Sequence, residues 1–398
     1  MLGIVKAKGA ILYDEDGKEY IDGISSWYTC MYGHCNEAII ERVRAQMEQL
    51  DHVVFSGFTH GPAVALSEAL VPILPPGQEK LFFSDNGSTA TEIGIKMALQ
   101  YHHNLGVKRP VLLAFEDGFH GDTFGAMSVS GLSVYNGPFK DYFLEVVRIP
   151  VPTADNIDAI LNRLEYEIDL KAVAGFIYEP LVQGAAAMKM HRAEDLERII
   201  GLVKSYGVLA IADEVMTGFG KTGSYFASDH MEVKPDIICM SKALTAGLLP
   251  MAVTSCTLEV YNAFYSDDIA KGLFHGHTYT ANPLACAAAL AGIELLKSDE
   301  IQQKIKEITQ WHRDFDSEVR NHPKVAATRQ SGVIYALELN VWMERYGNVR
   351  DRLFRHFMDS GVFLRPLGNT IYIQAPYITN REEMQKIYDS IKGALADL

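Results

Sequence analysis

From about residue 80 onward, short and continuously apolar runs alternate with stretches of helical periodicity, and this alternation constrains the fold more than any other feature. The runs typical of strands lie at residues 80–83, 110–115, 173–178, 208–212 and 236–240. Amphipathic patterns lie between them, for example at residues 88–103 and 193–206. Continuous apolar runs of this length are typical of strands buried on both faces of a parallel sheet. We therefore expect an α/β fold with a mainly parallel sheet.

The two ends of the chain have a different pattern. Residues 10–13 and 19–21 flank Asp16-Gly17, which predicts a β-hairpin. An Ala-rich helix begins near Asn282, and the tail then predicts helix, strand (332–339), helix, strand (370–374) and helix. We expect residues 41–295 to form a large domain, and residues 1–40 and 296–398 to form together a smaller α+β domain.

Composition excludes several classes of protein. The chain has 398 residues, of which 48% are hydrophobic and 22% are charged, as in a globular protein of about two domains. This composition excludes collagen, coiled coils and disordered chains. The formal net charge is −14 and no basic run occurs, which argues against a nucleic-acid or anionic membrane partner.

Targeting patterns and cysteines predict the compartment. No apolar stretch reaches the roughly 18 uncharged residues of a membrane-spanning helix, and the first residues lack the pattern of a secretory signal. Five cysteines are an odd and low number for this length, which is typical of free thiols in a reducing compartment. We therefore expect a cytoplasmic protein.

One apolar run, at residues 208–212, ends in the acids Asp213 and Glu214. Open α/β sheets bind ligands at the carboxyl ends of their strands. Because strand side chains alternate, Asp213 and Val215 would face one way and Glu214 the other. A carboxylate there could hold the proton of a heterocyclic nitrogen, with Val215 against the ring. The alternative is an acid that caps a helix or forms a salt bridge.

The run at 236–240 is followed by Ser241-Lys242, so Lys242 lies twenty-nine residues after Asp213. Burial of an ammonium group is costly, and desolvation lowers the pKa of the amine and makes it a nucleophile that can form a Schiff base. A single lysine in this position is more often a surface residue. An acid and a lysine at the ends of two successive strands favour the interpretation that the lysine forms a Schiff base.

Two segments are suited to an anion. Gly87 and Ser88 begin an amphipathic helix, where free backbone N–H groups face outward. Gly276, His277 and Thr278 lie in a polar loop that enters the Ala-rich helix. For both segments the alternative is simple helix capping, at the first helix by the Ser88 side chain.

Three other motifs need an interpretation. Phe119-His120 follows a strand and a turn, and its aromatic ring could stack on a planar ligand or belong to the core. Residues 215–222 resemble a P-loop, but Val215 stands where the first glycine is needed. Cys30, His34 and Cys35 lack a second pair of ligands at zinc spacing, so no metal site is predicted.

These motifs together resemble the class III aminotransferases of fold type I, which depend on pyridoxal 5'-phosphate. The resemblance extends from about residue 9 to the C-terminus. Four segments make the resemblance more specific: 25–28 (SSWY), 57–60 (GFTH), 119–129 (FHGDTFGAMSV) and 179–185 (EPLVQGA). They resemble the aminotransferases of biotin synthesis that act on 8-amino-7-oxononanoate. Asp213-Glu214 with Lys242 is general to the class.

The resemblance implies roles for the residues around the cofactor ring. Lys242 would form the Schiff base with pyridoxal phosphate and then act as the general base. Asp213 would pair with the pyridinium nitrogen. Phe119 would stack on the ring, with His120 beside it, and Val215 would lie against the ring.

Other roles concern the phosphate and the substrates. Gly87 and Ser88 would bind the phosphate, and Thr278 of the neighbouring subunit would reach it. Gly276 and His277 would lie beside Thr278, within reach of the substrate. A homodimer with shared active sites is therefore implied.

The implied substrates are 8-amino-7-oxononanoate, which is aminated to 7,8-diaminononanoate, and S-adenosylmethionine, the usual amino donor of this sub-family. Trp27 and Tyr28 would line the pocket for the apolar chain of the keto substrate. Arg365 stands where the family binds a substrate carboxylate, a contact that suits the planar guanidinium group.

The chain departs from the family pattern at three places. Phe119 replaces a tyrosine, so the stack remains but the hydroxyl is lost. Lys221 replaces the arginine of Gly-Phe-Gly-Arg-Thr-Gly, which affects recognition of the donor carboxylate. The family's Trp-His-Pro-aromatic segment does not occur at the start, which implies either a longer natural start or a more open pocket.

Three alternatives to this function remain at this point. Lysine could replace S-adenosylmethionine as the donor. The enzyme could act instead on a diamine or an ω-amino acid, although such an enzyme has no reason for Trp27-Tyr28. A non-catalytic protein could keep the fold, but every position that the chemistry requires is filled.

Overall fold

The computed structural model describes residues 2–133, 136–342 and 347–397. Its strands are β1 (Ile4–Lys8), β2 (Ile11–Asp14), β3 (Glu19–Asp22), β4 (Gln78–Ser84), β5 (Val111–Phe115), β6 (Val146–Ile149), β7 (Val173–Tyr178), β8 (Val182–Gln183), β9 (Lys189–Met190), β10 (Leu209–Asp213), β11 (Ile237–Met240), β12 (Ala252–Thr257), β13 (Val325–Ser331), β14 (Ile334–Leu339), β15 (Val362–Phe363) and β16 (Thr370–Ile373). Its helices are α1 (Ser25–Tyr28), α2 (Glu37–Met47), α3 (Gly61–Leu70), α4 (Gly87–Asn104), α5 (Phe124–Val129), α6 (Ile157–Lys171), α7 (Ala193–Ser205), α8 (Leu258–Asn262), α9 (Pro283–Lys297), α10 (Asp299–Val319), α11 (Asn348–Asp359) and α12 (Arg381–Asp397).

The largest sheet has seven strands in the order β4-β12-β11-β10-β7-β5-β6. The pairs β11–β10, β10–β7, β7–β5 and β5–β6 are parallel. Strand β12 is antiparallel to both of its neighbours, so β4 runs in the same direction as the other five strands. The prediction of an α/β fold with a mainly parallel sheet is confirmed, and all five strands predicted between residues 80 and 240 belong to this sheet.

Both faces of this sheet are buried. Ile211 of β10 packs in the same core cluster as Ile93 of α4, on one face. Ala210 and Ala212 pack in a second cluster with Leu196 of α7, on the other face. Alternate residues of one strand therefore enter two different cores, which explains why the strand sequences are continuously apolar.

Strand β12 was not predicted, because its sequence AVTSCT is not continuously apolar. Its polar side chains are buried but have partners. The Ser255 hydroxyl donates to Gln78 Oε1 at 2.7 Å, and the Thr254 hydroxyl donates to the Ala90 carbonyl at 3.0 Å. These tertiary hydrogen bonds offset the cost of burying the hydroxyl groups.

The two chain ends meet in one sheet with the order β1-β2-β3-β15. The predicted hairpin is present, with β2 antiparallel to β3, and Asp14 Oδ1 accepts from the Lys18 N–H at 2.8 Å across its turn. Strand β15 from the tail adds to β3 in parallel. A further antiparallel sheet has the order β13-β14-β16. The domain limits at residues 40 and 295 stay a prediction.

Parallel strands bring their carboxyl ends to one edge of the sheet. Five strands, β4, β5, β7, β10 and β11, therefore deliver the segments that follow them to the same edge.

None of the helices in the described residues is long and apolar enough to cross a bilayer. All five cysteines are free of disulfides.

Candidate active site

Lys242 follows the end of β11 and begins the 3₁₀ turn Lys242–Thr245. Its backbone is left-handed, with φ +50°, a conformation that costs free energy in a residue other than glycine and that occurs often at functional sites. Its Nζ lies 5.1 Å from the centroid of the Tyr28 ring. Burial lowers the pKa of the amine, against the opposing charges of Asp213 and Glu179. The amine is therefore closer to its neutral, nucleophilic form than an exposed lysine.

Asp213 ends β10 and is buried. Its Oδ2 accepts from His120 Nδ1 at 2.7 Å, and its Oδ1 accepts from the Val215 N–H at 3.1 Å. Since a carboxylate only accepts, His120 carries its proton on Nδ1. His120 is thus placed against the carboxylate of Asp213, which it orients.

Glu179 follows the end of β7 and was noted in the sequence without a role. Burial raises the pKa of its carboxyl group to about 7, even though Oε1 accepts from the Phe119 N–H and Oε2 from the Gly184 N–H, both at 2.9 Å. The Phe119 ring itself is exposed. Glu179 therefore fixes the backbone that presents this ring. The same pattern that identified Asp213, an acid at the end of a buried strand, could have identified it.

Glu214 faces away from Asp213, as the alternation of side chains predicts. It is fully buried, and its carboxylate accepts from the Thr217 hydroxyl, the Ala227 N–H and both the N–H and the hydroxyl of Ser228. Four donors offset much of the cost of burying this group. Glu214 thus holds the loop after β10 in place.

Helix α4 begins at Gly87, one residue earlier than predicted, and its N-cap is Asn86 rather than Ser88. The Asn86 side chain accepts from the Thr89 N–H at 3.1 Å. Among the described residues, the backbone N–H groups of Gly87 and Ser88 have no hydrogen-bond partner, as is usual in a first helical turn. The free N–H groups at this helix end are arranged as in anion-binding sites.

Two close approaches join this helix end to the other residues. A Cβ on Gly87 would lie 2.8 Å from Val215 Cγ1. A Cβ on Gly121 would lie 2.1 Å from Ser88 Oγ, and Gly121 has a φ of +130° that other residues rarely adopt. Ser88 Oγ also accepts from the Asp122 N–H at 3.2 Å. The predicted phosphate and ring segments are therefore packed against each other.

Helix α1 is a left-handed turn, because all four of its residues have φ between +47° and +72°. Left-handed backbone costs roughly 1–2 kcal/mol per residue. The Ser26 hydroxyl donates to Asp22 Oδ2 at 2.7 Å, and the Ser25 hydroxyl donates to the Gln374 carbonyl at 2.7 Å. His34 Nε2 donates to the same Asp22 oxygen at 2.9 Å. These buried contacts hold the strained turn.

The left-handed turn presents two predicted substrate residues on different sides. Tyr28 is buried, beside Lys242 and 5.9 Å from the Tyr372 ring. Trp27 is half exposed, and Arg365 Cζ lies 4.7 Å from its ring centroid. Arg365 has no carboxylate partner among the residues that the structure describes. The turn therefore has the Lys242 amine beside one of its aromatic rings and the Arg365 guanidinium group beside the other.

Of the loop with Gly276, His277 and Thr278, only the approach of His277 to the segment before α4 is seen within the described part of the same chain. His277 Nε2 lies 3.9 Å from Asp85 Oδ1, just before α4. Within the described ranges, Thr278 is exposed and makes no hydrogen bond to the other predicted site residues.

Lys221 is completely buried, and its Nζ donates to the Gly218 carbonyl at 3.2 Å. Burial and the charge of Lys242 hold the pKa of its amine well below the ordinary value. An amine enclosed in this way is not accessible to a substrate carboxylate.

The arrangement fits a planar aldehyde that carries a phosphate. A nucleophilic lysine, a buried carboxylate, an exposed aromatic ring and a helix N-terminus with free N–H groups meet at one sheet edge. Across the described residues, no group of three or more His, Cys, Asp or Glu side chains could hold a metal ion.

Comparisons with known proteins show which family and which structures this chain resembles. The model of the family "Aminotransferase class-III" matches residues 1–395. The adenosylmethionine-8-amino-7-oxononanoate aminotransferase of Synechococcus elongatus is 42% identical, over all of this chain and 95% of its own length. The crystal structure of the enzyme of that name from Methanocaldococcus jannaschii superposes with a TM-score of 0.95 at 32% identity, covering 100% of this chain and 93% of that one. A PLP-bound amine transaminase from an uncultivated Pseudomonas species superposes with a TM-score of 0.92 at 27% identity, covering 100% of this chain and 95% of that one.

Proposed function

The chain belongs to the class III aminotransferases, and we propose that it transfers the amino group of S-adenosylmethionine to 8-amino-7-oxononanoate, forming 7,8-diaminononanoate for biotin synthesis. The observation that carries the proposal is the pair of contacts at the left-handed turn, the Lys242 amine beside the Tyr28 ring and the Arg365 guanidinium group beside the Trp27 ring. A nucleophilic amine, an apolar aromatic surface and an unpaired guanidinium group suit a keto compound with a long apolar chain and a terminal carboxylate. The relatives from Synechococcus elongatus and Methanocaldococcus jannaschii, named for this reaction, support it.

The cofactor of the proposed reaction is pyridoxal phosphate, which when bound supplies an electron-withdrawing ring joined to the reacting carbon. Gly87 and Ser88 would hold its phosphate with their free N–H groups. Val215 and Phe119 would contact the two faces of its ring. His120 is a positioning residue, because it contacts the carboxylate of Asp213.

Two side chains handle protons. The Asp213 carboxylate favours a proton on the ring nitrogen, and the His120 N–H keeps the carboxylate in place. The Lys242 amine, with its pKa lowered by burial, accepts the α-proton of the donor and returns a proton to the acceptor carbon. Tyr28 beside it excludes water from the amine.

The donor separates this proposal from its nearest alternative. Lysine as donor was considered because Lys221 replaces an arginine, but the burial of Lys221 removes that reason. Arg365 is the accessible cation of the site. It suits the carboxylates of S-adenosylmethionine and of the keto substrate in turn, because aminotransferases bind their two substrates alternately.

A steady-state assay of 7,8-diaminononanoate formation tests the proposal. We expect product from 8-amino-7-oxononanoate with S-adenosylmethionine, and at least tenfold less with lysine or a diamine at equal concentration. Trp27→Ala should raise the KM for the keto substrate more than the KM for the donor. Greater turnover with lysine would contradict the donor, and turnover only with diamines or ω-amino acids would contradict the substrate class.

We further infer a homodimer in which each Thr278 serves the site of the partner. Thr278 is exposed within its own chain and has no part in its own site. The expectation is tested by mixing two inactive variants, Lys242→Ala and Thr278→Asp, under conditions of subunit exchange. A mixed dimer contains one site with both an intact Lys242 and an intact Thr278, so activity should return. If the mixture stays inactive while the subunits exchange, the sites are not shared.

A further inference from the structure

A cavity of about 430 Å³ lies outside the candidate active site. Its wall includes Thr222 from the loop after β10, His191 and Ala193 from the start of α7, Arg313 from α10 and Ser331 from the end of β13. None of the residues placed above in the active site lines it. Its floor is tight, because a Cβ on Gly332 would lie 2.4 Å from the backbone nitrogen of Gly223.

The wall of this cavity carries a positive charge in an acidic protein. The chain has 50 acidic against 36 basic residues. The described residues of the wall nevertheless include Arg313 and no Asp or Glu. Two histidines, His191 and His230, also line it, and burial lowers the pKa of His191 to about 4, so this ring adds donors rather than charge. Arg313 is exposed and forms no ion pair with any carboxylate in the part of the chain that the structure describes. The local field therefore favours an anion.

Two buried polar atoms of the wall have no hydrogen-bond partner in the part of the chain that the structure describes. The Thr222 hydroxyl belongs to a residue that is 4% exposed, and His191 Nδ1 belongs to a residue that is 9% exposed. His191 Nε2 accepts from the Leu181 N–H at 3.1 Å, so the ring proton is on Nδ1. Two side chains of the wall therefore carry a hydroxyl and an N–H group that have no partner among the described residues.

Helix α7 adds a third source of donors, because Ala193 at its first position lines the cavity. The N-cap residue, Arg192, makes no capping hydrogen bond with its side chain. Its guanidinium group pairs instead with both oxygens of Asp195, at 2.7 and 2.8 Å, which neutralises the buried acid of the first turn. Glu194, the other acid of the first turn, is not among the residues that line the cavity, so the positive end of the helix dipole faces it through Ala193.

We propose that this cavity binds a small oxyanion, the phosphate or carboxylate group of a metabolite, at a site separate from the active site. Arg313 supplies the charge, and the Thr222 hydroxyl, the His191 Nδ1–H and the N-terminus of α7 supply directed donors. A bound oxyanion accepts hydrogen bonds from these donors. Without such a partner, each buried donor costs free energy.

Calorimetric titration of the enzyme saturated with pyridoxal phosphate tests the site, since the cofactor occupies the anion-binding end of α4. Inorganic phosphate and succinate are the two probes, and they distinguish a tetrahedral from a carboxylate ligand. We expect one saturable site per chain for at least one probe. Arg313→Met should weaken that binding by about 10-fold or more. Thr222→Val should weaken it less, because a hydrogen bond from a charged group is stronger than one from a hydroxyl.

Arg365→Met is the matched control, since it removes an arginine of the active site and should leave this binding unchanged. Arg313 is exposed, so its replacement does not endanger folding, and an unchanged absorbance of the bound cofactor verifies this. The proposal is overturned if neither probe binds saturably, or if binding is unaffected by Arg313→Met. Binding that Arg365→Met removes also overturns it, because the anion then lies in the active site.

Discussion

At the scale of single residues, Lys242 and Lys221 show how burial can give two lysines opposite roles. Both amines have a lowered pKa. The Lys242 amine lies beside Tyr28 at the sheet edge, where a substrate can reach it. The Lys221 amine is enclosed and donates to one backbone carbonyl. Accessibility therefore separates the nucleophile from a structural amine.

Lys221→Met tests this distinction. Methionine has a similar length, and replacing a buried polar group by an apolar one of similar shape is often neutral or stabilising. We expect the KM for S-adenosylmethionine to stay within about threefold and the urea midpoint of unfolding to be unchanged or higher. A tenfold rise in this KM, with the KM for the keto substrate unchanged, would show instead that Lys221 binds the donor.

At the scale of elements, the start of α4 is placed by close contacts with two other segments. Val215 touches Gly87, and Ser88 touches Gly121. Inside the same helix, a Cβ on Gly94 would lie 3.0 Å from Cys239 Sγ of β11, so α4 lies directly on the sheet. These contacts fix the helix end relative to the strand that carries Asp213.

Gly87→Ala should displace either Val215 or the helix end, because the added Cβ would lie 2.8 Å from Val215 Cγ1. Overpacking typically costs about 1–3 kcal/mol, so we expect the Kd for pyridoxal phosphate to rise by roughly 5- to 100-fold. Absorbance titration of the apoenzyme measures this.

The control for this experiment is Gly201→Ala. Gly201 lies in the interior of α7, and no atom of the described residues lies within 4 Å of its added Cβ, apart from its own helix backbone and chain neighbours. This change should leave the cofactor affinity unaltered and stabilise the helix by about 0.5–1 kcal/mol. Equal losses of cofactor affinity in both variants would contradict the close approach of Gly87 and Val215.

At the scale of the whole molecule, buried titratable groups make stability depend on pH. Burial lowers the pKa of His312 to about 4. In the folded protein, His312 Nε2 donates to the Val333 carbonyl and His312 Nδ1 accepts from the Tyr388 hydroxyl. Its folded pKa is below the unfolded value of about 6.5. The unfolded state therefore binds the proton more readily, and stability is lost as the pH falls from about 6.5 to 4. Glu179 has the opposite sign, because its raised pKa removes stability as the pH rises from about 4.5 to 7.

His312→Gln should reduce the acid dependence of unfolding relative to the unmodified protein. The difference between the two pH profiles amounts to about 3 kcal/mol between pH 6.5 and 4, from about 1.4 kcal/mol per pH unit. Urea unfolding at several pH values measures it. His103→Gln, which removes an exposed histidine, should leave the profile unchanged. Identical profiles for His312→Gln and the unmodified protein would mean that His312 is not held neutral by the fold.

Much of the architecture could be predicted from the sequence because one physical condition, burial on both faces, makes a strand continuously apolar. Such runs located the strand that ends at Asp213 and the strand that Lys242 follows, and parallel strands share one edge. Strand β12 escaped prediction because Thr254 and Ser255 find hydrogen-bond partners only in the tertiary structure.

Parts of the candidate site depend on contacts that the sequence does not reveal. The left-handed turn at Trp27 is held by Asp22 and by the Gln374 carbonyl, which is more than 300 residues away in the chain. The burial of Lys221 and the convergence of Arg313 with Thr222 also arise from packing between distant segments. The domain limits and a cytoplasmic location stay predictions.

The visible absorbance of the purified protein tests the central claim most directly. With pyridoxal phosphate bound to Lys242, an absorbance band should be present, should disappear when S-adenosylmethionine is added, and should return when 8-amino-7-oxononanoate follows. Lys242→Ala should lose both the borohydride-reducible adduct and all turnover, whereas Lys108→Ala, which removes an exposed lysine, should behave as the unmodified protein. A band that S-adenosylmethionine leaves unchanged, or turnover by Lys242→Ala, would contradict the account.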